Sequence, residues 1–455
     1  MLTLKASARN AVNAMQQPLD PLDPIHPLDP IDPIDHRDRC PPSATHPLVA
    51  LSGLLGFLGA CWLVIQAQPL PGDIAAYALL VIAITAAVIL ALDIGWLKVH
   101  RRSSTGLDWQ RDDPSWSRSL LKLFGLLITL GGVAMLYWLF PHYHQPRFEP
   151  YYALLQQLLP VWLVLALPYF YFVDRRMRAP HDGYWLLGHW ACSKLKRGKH
   201  TPLNRAERQL LGQHWLSWLI KGFFLPLMFI YFCNYLQNFN NGSATTPLQF
   251  WFELLCNLAF LIDVGLVSMG YLLTLRLADT HVRSAEPTLF GWVVALACYE
   301  PFWFLMERQY LQYQGELDWL QWLADSPLLA TLWGAMIVSL VMIYAWATVI
   351  FCARFSNLTH RGIITNGPYR YTRHPAYLAK NLSWWLISIP FIVQDSMTDA
   401  LRHCLMLLLL NALYALRAWT EERHLSQDPQ YMQYSAWIRR HGLFRRFSVA
   451  TGRAR

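Results

Sequence analysis

Long apolar runs separated by short polar segments dominate the chain from residue 47 onward. About ten of these runs are 18–25 residues long, the length that an α-helix needs to cross the hydrocarbon core of a bilayer. Their approximate limits are 47–68, 74–94, 120–140, 152–173, 215–236, 250–275, 288–307, 327–353, 376–393 and 399–420. The pattern therefore predicts an all-α fold, a polytopic transmembrane helical bundle with about ten spans.

The segment before the first apolar run is polar and repetitive. Between Pro18 and Asp35 a Pro-apolar-Asp triplet recurs, so that proline stands at every third position. Proline at this spacing disfavours both helix and sheet, and the aspartates repel one another. Residues 1–46 are therefore predicted to be a disordered cytoplasmic tail without chemistry of its own.

The distribution of basic residues sets the predicted orientation. With the amino terminus in the cytoplasm, the loops 95–119, 174–214, 276–287 and 354–375 hold about 20 Lys and Arg, whereas the opposite side holds about two, Arg147 and Arg308. Cytoplasmic loops of membrane proteins carry this excess. Both termini are predicted to be cytoplasmic, and the compact loops suit a bacterial inner membrane.

Composition agrees with this class of protein. Hydrophobic residues make up 54% of the chain and charged residues 15%, well below the quarter that is usual in soluble domains. The net charge of +9 comes from the loops, so it indicates contact with membrane lipids rather than with nucleic acid. Six of the eight cysteines lie in apolar runs, without a CxxC or Cys/His cluster, so we predict neither a disulfide framework nor a metal site.

Two charged residues inside the predicted spans are candidates for function. Lys221 stands about two turns from the cytoplasmic end of its run, where its long side chain can reach the membrane surface. Asp263 is nearer the middle of the membrane. Two readings of Asp263 stay open: a structural pair with Lys221, or a polar contact in a ligand cavity.

The last hundred residues bring polar groups together. The runs 376–393 and 399–420 are separated by a few residues, so they form an antiparallel hairpin. The start of the first run, at Arg373 and His374, and the end of the second, at Glu421 and Glu422, then meet at one cytoplasmic surface.

The chemistry of this meeting point has two interpretations. Pro375 suits a first helical turn, where free N–H groups and Arg373 form an anion site, and Tyr377 and Asn381 share a helix face. Two carboxylates at a helix C-terminus need positive partners. A ligand with a carboxylate, a cationic centre and ribose hydroxyls, such as S-adenosylmethionine, would satisfy both ends. Alternatively, these side chains contact lipid headgroups and solvent at a membrane edge.

The order of short motifs in residues 355–440 resembles the isoprenylcysteine carboxyl methyltransferase and phospholipid methyltransferase superfamily. The resemblance covers about a quarter of the chain. It is carried by Gly367-x-Tyr369, by Arg373-His374-Pro375-x-Tyr377, by Glu421-Glu422-x-x-Leu425 and by Tyr431-x-x-Tyr434. Ala379 stands where the family usually has Gly, and Asp428-Pro429 replaces a Phe-Gly pair, which leaves the shape of the carboxyl-terminal lid open.

The resemblance implies an S-adenosyl-L-methionine site at the cytoplasmic mouth of the hairpin. His374, Tyr377 and, by a loose alignment, Arg417 are the implied catalytic residues, with Arg417 facing the substrate. His374 could be a general base or could orient its neighbours. The cofactor-binding residues are predicted to be Tyr369, Arg373, His374, Pro375, Ala376, Tyr377, Asn381, Glu421 and Glu422.

The predicted function is that of an integral-membrane, S-adenosylmethionine-dependent methyltransferase acting on a lipid or lipidated acceptor. The chain would divide into the tail 1–46, an amino-terminal transmembrane region 47–326 of unknown role and a methyltransferase-like core 327–455. Two alternatives remain: an NADPH-dependent enzyme like the membrane sterol reductases, and a non-catalytic scaffold or transporter. The acceptor, the atom methylated and the oligomeric state are not predicted.

Overall fold

The computed structural model describes residues 39–67, 73–197, 202–239, 246–315, 317–394 and 396–445. The repeat between Pro18 and Asp35, for which disorder is predicted, lies outside these residues. The described residues from Pro41 onward form one compact unit by themselves.

Helices make up nearly all regular structure in the described residues. The first seven are α1 (Pro47–Ala67), α2 (Ile74–Leu90), α3 (Trp116–Leu139), α4 (Glu149–Asp174), α5 (Gly183–Arg197), α6 (Arg205–Gln237) and α7 (Pro247–Leu272). The other seven are α8 (Leu289–Leu296), α9 (Phe302–Phe304), α10 (Trp319–Trp322), α11 (Pro327–Val349), α12 (Pro375–Ser388), α13 (Met397–Leu425) and α14 (Pro429–His441). Eight of them, α1 to α4, α6, α7, α11 and α13, are long and apolar enough to cross a membrane. The prediction of an all-α polytopic membrane protein is confirmed.

Polar residues at the predicted loop boundaries start several of these helices. Asp73 accepts a hydrogen bond from the backbone N–H of Ala75 (2.9 Å) at the start of α2. Ser396 caps α13 by accepting from the N–H of Asp399. Asn204 forms a full capping box at the start of α6. Such caps satisfy backbone donors that have no partner inside the helix.

Two of the ten predicted runs differ from spanning helices. Run 288–307 is broken into α8, α9 and a π-helical segment, Leu305–Leu311, with Pro301 at the break, where it offers no backbone N–H to a continuous helix. Run 376–393 holds α12, whose 14 residues extend about 21 Å, less than the roughly 30 Å of a hydrocarbon core. Within the described residues there are thus eight candidate spans rather than ten.

The loops predicted to be cytoplasmic contact one another on one face of the molecule. Arg118, at the start of α3, donates to Asp174 at the end of α4 (2.8 Å). Strand β1 (Ser284–Ala285) pairs antiparallel with strand β2 (Thr359–His360), which joins the loop after α7 to the loop after α11. The loops that meet on this face are among those that the sequence places on one side of the membrane. The assignment of this face to the cytoplasm stays a prediction.

The carboxyl-terminal hairpin is fixed to the rest of the bundle through α11. Helix α11 packs on α7 and on α12, and α12 packs on α13. Trp333 of α11 donates its indole N–H to the Leu386 carbonyl of α12 (2.8 Å), and Trp385 of α12 donates to Asn411 of α13 (2.8 Å). These half-buried tryptophans between helices thus provide both apolar area and a directed hydrogen bond.

The pairing of Lys221 with Asp263 is wrong. The Lys221 ammonium donates to the Thr274 hydroxyl (2.8 Å) and lies 5.0 Å from the ring centre of Trp218. Asp263 accepts hydrogen bonds from Tyr344 and Thr348 of α11 instead. A neighbouring helix with two hydroxyls satisfies the carboxylate, so no lysine partner is needed.

Candidate functional site

The hairpin brings the start of α12 against the end of α13. Arg373 donates to one oxygen of Glu422 (2.6 Å), and the His374 imidazole contacts the other oxygen through Nε2 (2.8 Å). Glu422 is nearly fifty positions from Arg373 and His374 in the chain, and all three side chains are partly buried. The positive partners that the sequence argument required for the acidic pair therefore come from the protein itself.

Glu421 is held from the interior side of the same surface. The Tyr377 hydroxyl donates to Glu421 Oε1, and Arg417, one turn earlier on α13, donates from Nε to the same oxygen (3.3 Å). The ring planes of His374 and Tyr377 lie within 5° of parallel at 5.5 Å. The two glutamates are thus oriented by different partners, and their carboxylates are fixed before any ligand binds.

Arg417 is buried and makes further contacts inward. Its NH2 group donates to Asn357 Oδ1 (2.6 Å) and to the Tyr299 hydroxyl (3.2 Å). The guanidinium also lies over the rings of Tyr299 (5.1 Å) and Tyr377 (5.2 Å). Because three of its five N–H donors are already engaged, this arginine is suited to positioning its neighbours.

The loop before α12 is held by a buried arginine. Arg361 donates to the carbonyls of Gly270, Leu273, Thr280 and Phe355 at 2.6–2.9 Å. Burial lowers the pKa of this guanidinium to about 9, so that it remains protonated at neutral pH. The loop is thereby attached to the carboxyl end of α7, whose last carbonyls have no partner within the helix.

Helix α14 closes over the same loop. The Tyr434 hydroxyl donates to the Tyr369 carbonyl (2.6 Å), within the short 3₁₀ helix Gly367–Arg370. Gly367 begins that helix with a positive φ of 56°, a conformation that side chains with a Cβ rarely adopt. Burial raises the pKa of the Tyr369 hydroxyl, which therefore stays protonated.

These elements surround a cavity of about 1380 Å³, a volume that includes its open mouth. Six of the residues predicted from the sequence for cofactor binding line it: Tyr369, Arg373, His374, Ala376, Tyr377 and Glu421. Arg417 lines it as well. A cleft with apolar walls and a few convergent polar groups is typical of a small-molecule site.

Three other predicted residues lie beside the cavity. Pro375 is buried at the first turn of α12, where it starts the helix. Glu422 acts on the site through Arg373 and His374. Asn381 accepts a hydrogen bond from Asn411 (3.2 Å) in the interface between α12 and α13. Asn381 does share a helix face with Tyr377, but it does not line the cavity.

Residues of the amino-terminal region also line the cavity. Asp263 comes from α7, Glu286 follows strand β1 and Tyr299 follows α8. Asp263 was a candidate from the sequence because it is a charged residue inside a predicted span. Its position in the cavity wall supports the second interpretation, a polar contact in a ligand cavity. Tyr299 and Asn357 could not be identified as site residues from the sequence, because single Tyr and Asn residues are common at helix ends. Lys380 is a charged residue within a predicted apolar run, so the signal that singled out Lys221 and Asp263 was present there as well.

The bundle and its cavity define an all-α, polytopic membrane protein with a candidate small-molecule site. Residues 328–427 match the model of the isoprenylcysteine carboxyl methyltransferase (ICMT) family. The match covers about a fifth of the chain and contains the hairpin, which confirms the resemblance read from the motifs. No curated protein and no solved structure shows a significant match. Together, the family match and the apolar helices support a membrane methyltransferase.

Proposed function

We propose that this protein transfers the methyl group of S-adenosyl-L-methionine to a lipophilic acceptor within the membrane. The observation that carries the proposal is the cluster of Arg373, His374, Tyr377, Glu421 and Glu422 at the mouth of a cavity within the family-matched segment. The basic residues match the carboxylate of the donor, and the acidic residues match its cationic centre and ribose hydroxyls.

The wall of the cavity has polar groups left for such a ligand. The Thr359 hydroxyl is buried there without a hydrogen-bond partner among the described residues, and the buried Tyr431 hydroxyl lies beside the Arg373 guanidinium. Buried hydroxyls are rarely left unpaired without a ligand or water to bind. Ribose hydroxyls and the amino-acid part of the donor supply matching groups. The residues present therefore fit the donor.

Each residue has a proposed role. Arg373 and the free N–H groups at the start of α12 bind the donor carboxylate, and Glu421 and Glu422 bind its hydroxyls or ammonium group. His374, held by Glu422, orients the pocket rather than removing a proton. Arg417 holds Glu421 and Tyr299 in place. The donor supplies an electrophilic methyl group, and the chain supplies alignment and a site shielded from water.

The acceptor is proposed to be lipophilic because the cavity extends from the loop surface into the bundle. Its inner wall comes from α7, α11, α12 and α13, of which three are candidate spans. A substrate dissolved in the bilayer reaches such a position between helices without entering water. The alternative of an NADPH-dependent reductase loses support, because the segment that carries the site matches a methyltransferase family.

Binding of the donor to purified protein tests the proposal. Equilibrium binding of S-adenosylmethionine, measured by calorimetry in detergent, should give a defined Kd, with no binding of NADPH. Glu421→Gln should raise that Kd at least tenfold, or about 1.4 kcal/mol. Glu207→Gln is the matched control, because glutamine also completes the capping box of α6.

Labelling of membranes tests the transfer itself. Membranes from source cells that contain the protein, and from cells that lack its gene, are incubated with methyl-tritiated donor and then separated into lipids and proteins. We expect a labelled lipid or lipidated species that depends on the protein. Equal labelling in both membranes, or an unchanged donor Kd for Glu421→Gln, would overturn the proposal.

A further inference from the structure

The cavity has an inner compartment that donor binding does not use. On α13, Tyr414 is seven residues before Glu421, and on α12, Lys380 is six residues after His374. A helix rises 1.5 Å per residue, so these side chains lie about 10 Å deeper than the mouth. Asp263, Tyr344 and Thr348 complete this inner compartment from α7 and α11.

Asp263 is a buried carboxylate that can accept further hydrogen bonds. The residue is 7% exposed, and its two oxygens accept hydrogen bonds from Tyr344 and Thr348, one each. A carboxylate oxygen has two lone pairs, so each oxygen can accept one more hydrogen bond. Asp263 also lies outside residues 328–427, which means that the amino-terminal spans supply this group.

Lys380 stands near Asp263 without touching it. Its ammonium lies 5.0 Å from the ring centre of Trp384, 5.5 Å from that of Tyr414 and 5.7 Å from that of Tyr344. Among the described residues, no ion pair within 4.0 Å joins Lys380 to Asp263, and no residue accepts a hydrogen bond from the ammonium. The cation and the anion are thus kept apart on the walls of one cavity.

We propose that Asp263 is a general base that takes the proton of a hydroxyl acceptor, while Lys380 binds the same oxygen. This inference rests on the proposed methyl transfer and names its substrate class: a lipophilic alcohol or phenol. The hydroxyl donates its proton to Asp263 and accepts from Lys380 with one lone pair, which leaves the second lone pair for the methyl group.

Other acceptor groups fit the inner compartment less well. A carboxylate needs no base, and the negative charge of Asp263 would repel it in a medium of low dielectric constant. An amine has a single lone pair, which cannot both accept from Lys380 and attack the methyl carbon. Of these three groups, the hydroxyl is the one that uses both residues.

The transfer moves one proton and one methyl group. The O–H proton passes to a carboxylate oxygen of Asp263, an oxygen lone pair forms the new O–C bond, and the C–S bond of the sulfonium donor breaks with its electron pair left on sulfur. The products are a methyl ether, a neutral thioether and protonated Asp263. Lys380 stabilises the negative charge that develops on the oxygen as the proton leaves.

The chemical stability of the labelled product tests the acceptor class. Lipids labelled with methyl-tritiated donor in source-cell membranes are treated with mild alkali and then passed over a cation exchanger at acid pH. A methyl ether keeps its label through both treatments. Release of volatile methanol would show an ester, and retention on the exchanger would show an amine. Either result overturns this inference while leaving methyl transfer intact.

Variants test the role of Asp263. Asp263→Asn should lower methyl transfer at least 100-fold, with the donor Kd within twofold of wild type, and Asp263→Glu should recover part of the rate. Asp318→Asn is the matched control, because Asp318 is an exposed helix cap and asparagine caps equally well. Transfer by Asp263→Asn at the wild-type rate would overturn the inference.

A second variant keeps the test decisive if Asp263→Asn does not fold. Lys380→Met retains the apolar stem and the aromatic contacts but removes the cation. Transfer should fall at least tenfold, with the donor Kd within twofold of wild type. An unchanged rate would contradict the role of Lys380. If wild-type protein neither binds the donor nor labels any lipid, the proposed function itself fails.

Discussion

At the scale of single residues, Arg361 shows how one side chain positions the site. Its guanidinium binds carbonyls from the end of α7, from the loop after it and from the segment after α11. The planar fork with five N–H donors can reach several acceptors at once, whereas a lysine ammonium is a compact point charge. The identity of the residue, and not its charge alone, therefore fixes the loop that leads to His374.

Arg361→Lys should destabilise the protein. A lysine leaves two or more buried carbonyls without a donor, which should cost about 2–4 kcal/mol. Thermal unfolding in detergent, followed by tryptophan fluorescence, measures this as a lower Tm. Arg175→Lys is the control, because Arg175 pairs with Asp112 in a solvent-exposed loop. Equal Tm values for the two variants would contradict the role assigned to Arg361.

His360 makes the stability depend on pH. Burial lowers the pKa of its imidazole to about 4; Asp428, at 3.3 Å, opposes this shift, and Arg283 and His424 add to it. The unfolded chain has a histidine pKa near 6.5, so between about pH 4 and 6.5 the unfolded state binds more protons. The contribution of His360 is therefore complete above about pH 6.5 and is lost as the pH falls toward 4.

The measurement compares Tm at pH 7.5 and pH 5 for wild type and His360→Gln. Wild type should lose stability on acidification by an amount on the order of 2 kcal/mol from this residue, and the variant should lose less. Burial also lowers the pKa of His281, to about 3, so part of the dependence remains in the variant. Parallel pH curves for the two proteins would contradict the assignment to His360.

At the scale of elements, the hairpin was predictable and its surroundings were not. The short connection at 394–398 required α12 and α13 to be antiparallel, which placed Arg373 near Glu422. The break in run 288–307 was not predictable, because hydropathy counts apolar residues and does not register where a proline interrupts the hydrogen-bond ladder. That break puts Tyr299 beside Arg417.

Close packing of α3 against α5 depends on glycine. A Cβ added at Gly125 would lie 2.0 Å from the carbonyl oxygen of Tyr184, and one added at Gly188 would lie 2.1 Å from that of Leu121. Backbone atoms cannot rotate out of the way as a flexible side chain could, so any larger residue separates the two helices.

Gly125→Ala should therefore lower the Tm, with a cost of about 1–3 kcal/mol for the forced shift. Gly131→Ala on the same helix is the matched control, because a Cβ there meets no atom within 4 Å. Alanine has the higher helix propensity, so Gly131→Ala should leave the Tm unchanged or raise it. Equal losses in both variants would show that the contact with α5 is not the cause.

At the scale of the whole molecule, the amino-terminal spans are part of the site. Asp263 lines its inner compartment, and the carboxyl end of α7 provides carbonyls for Arg361. Motifs near the carboxyl terminus pointed to the hairpin because a short connection joins its two helices. They could not point to α7, because contacts between distant helices depend on which apolar faces pack together, and nearly uniform apolar runs do not encode this.

The predicted core 327–455 should therefore fail to form a working site when it is expressed alone. Without α7 and the loop after it, the fragment lacks three of the four carbonyls that hold Arg361, so its donor Kd should rise at least tenfold, or binding should be lost. Co-expression with residues 1–326 as a separate chain should restore binding, because the interface of α7 with α11 can re-form between two chains. Calorimetry on the purified fragment and on the co-purified pair measures both outcomes. If the fragment alone bound S-adenosylmethionine as tightly as the full chain, the amino-terminal spans would have no part in building the donor site.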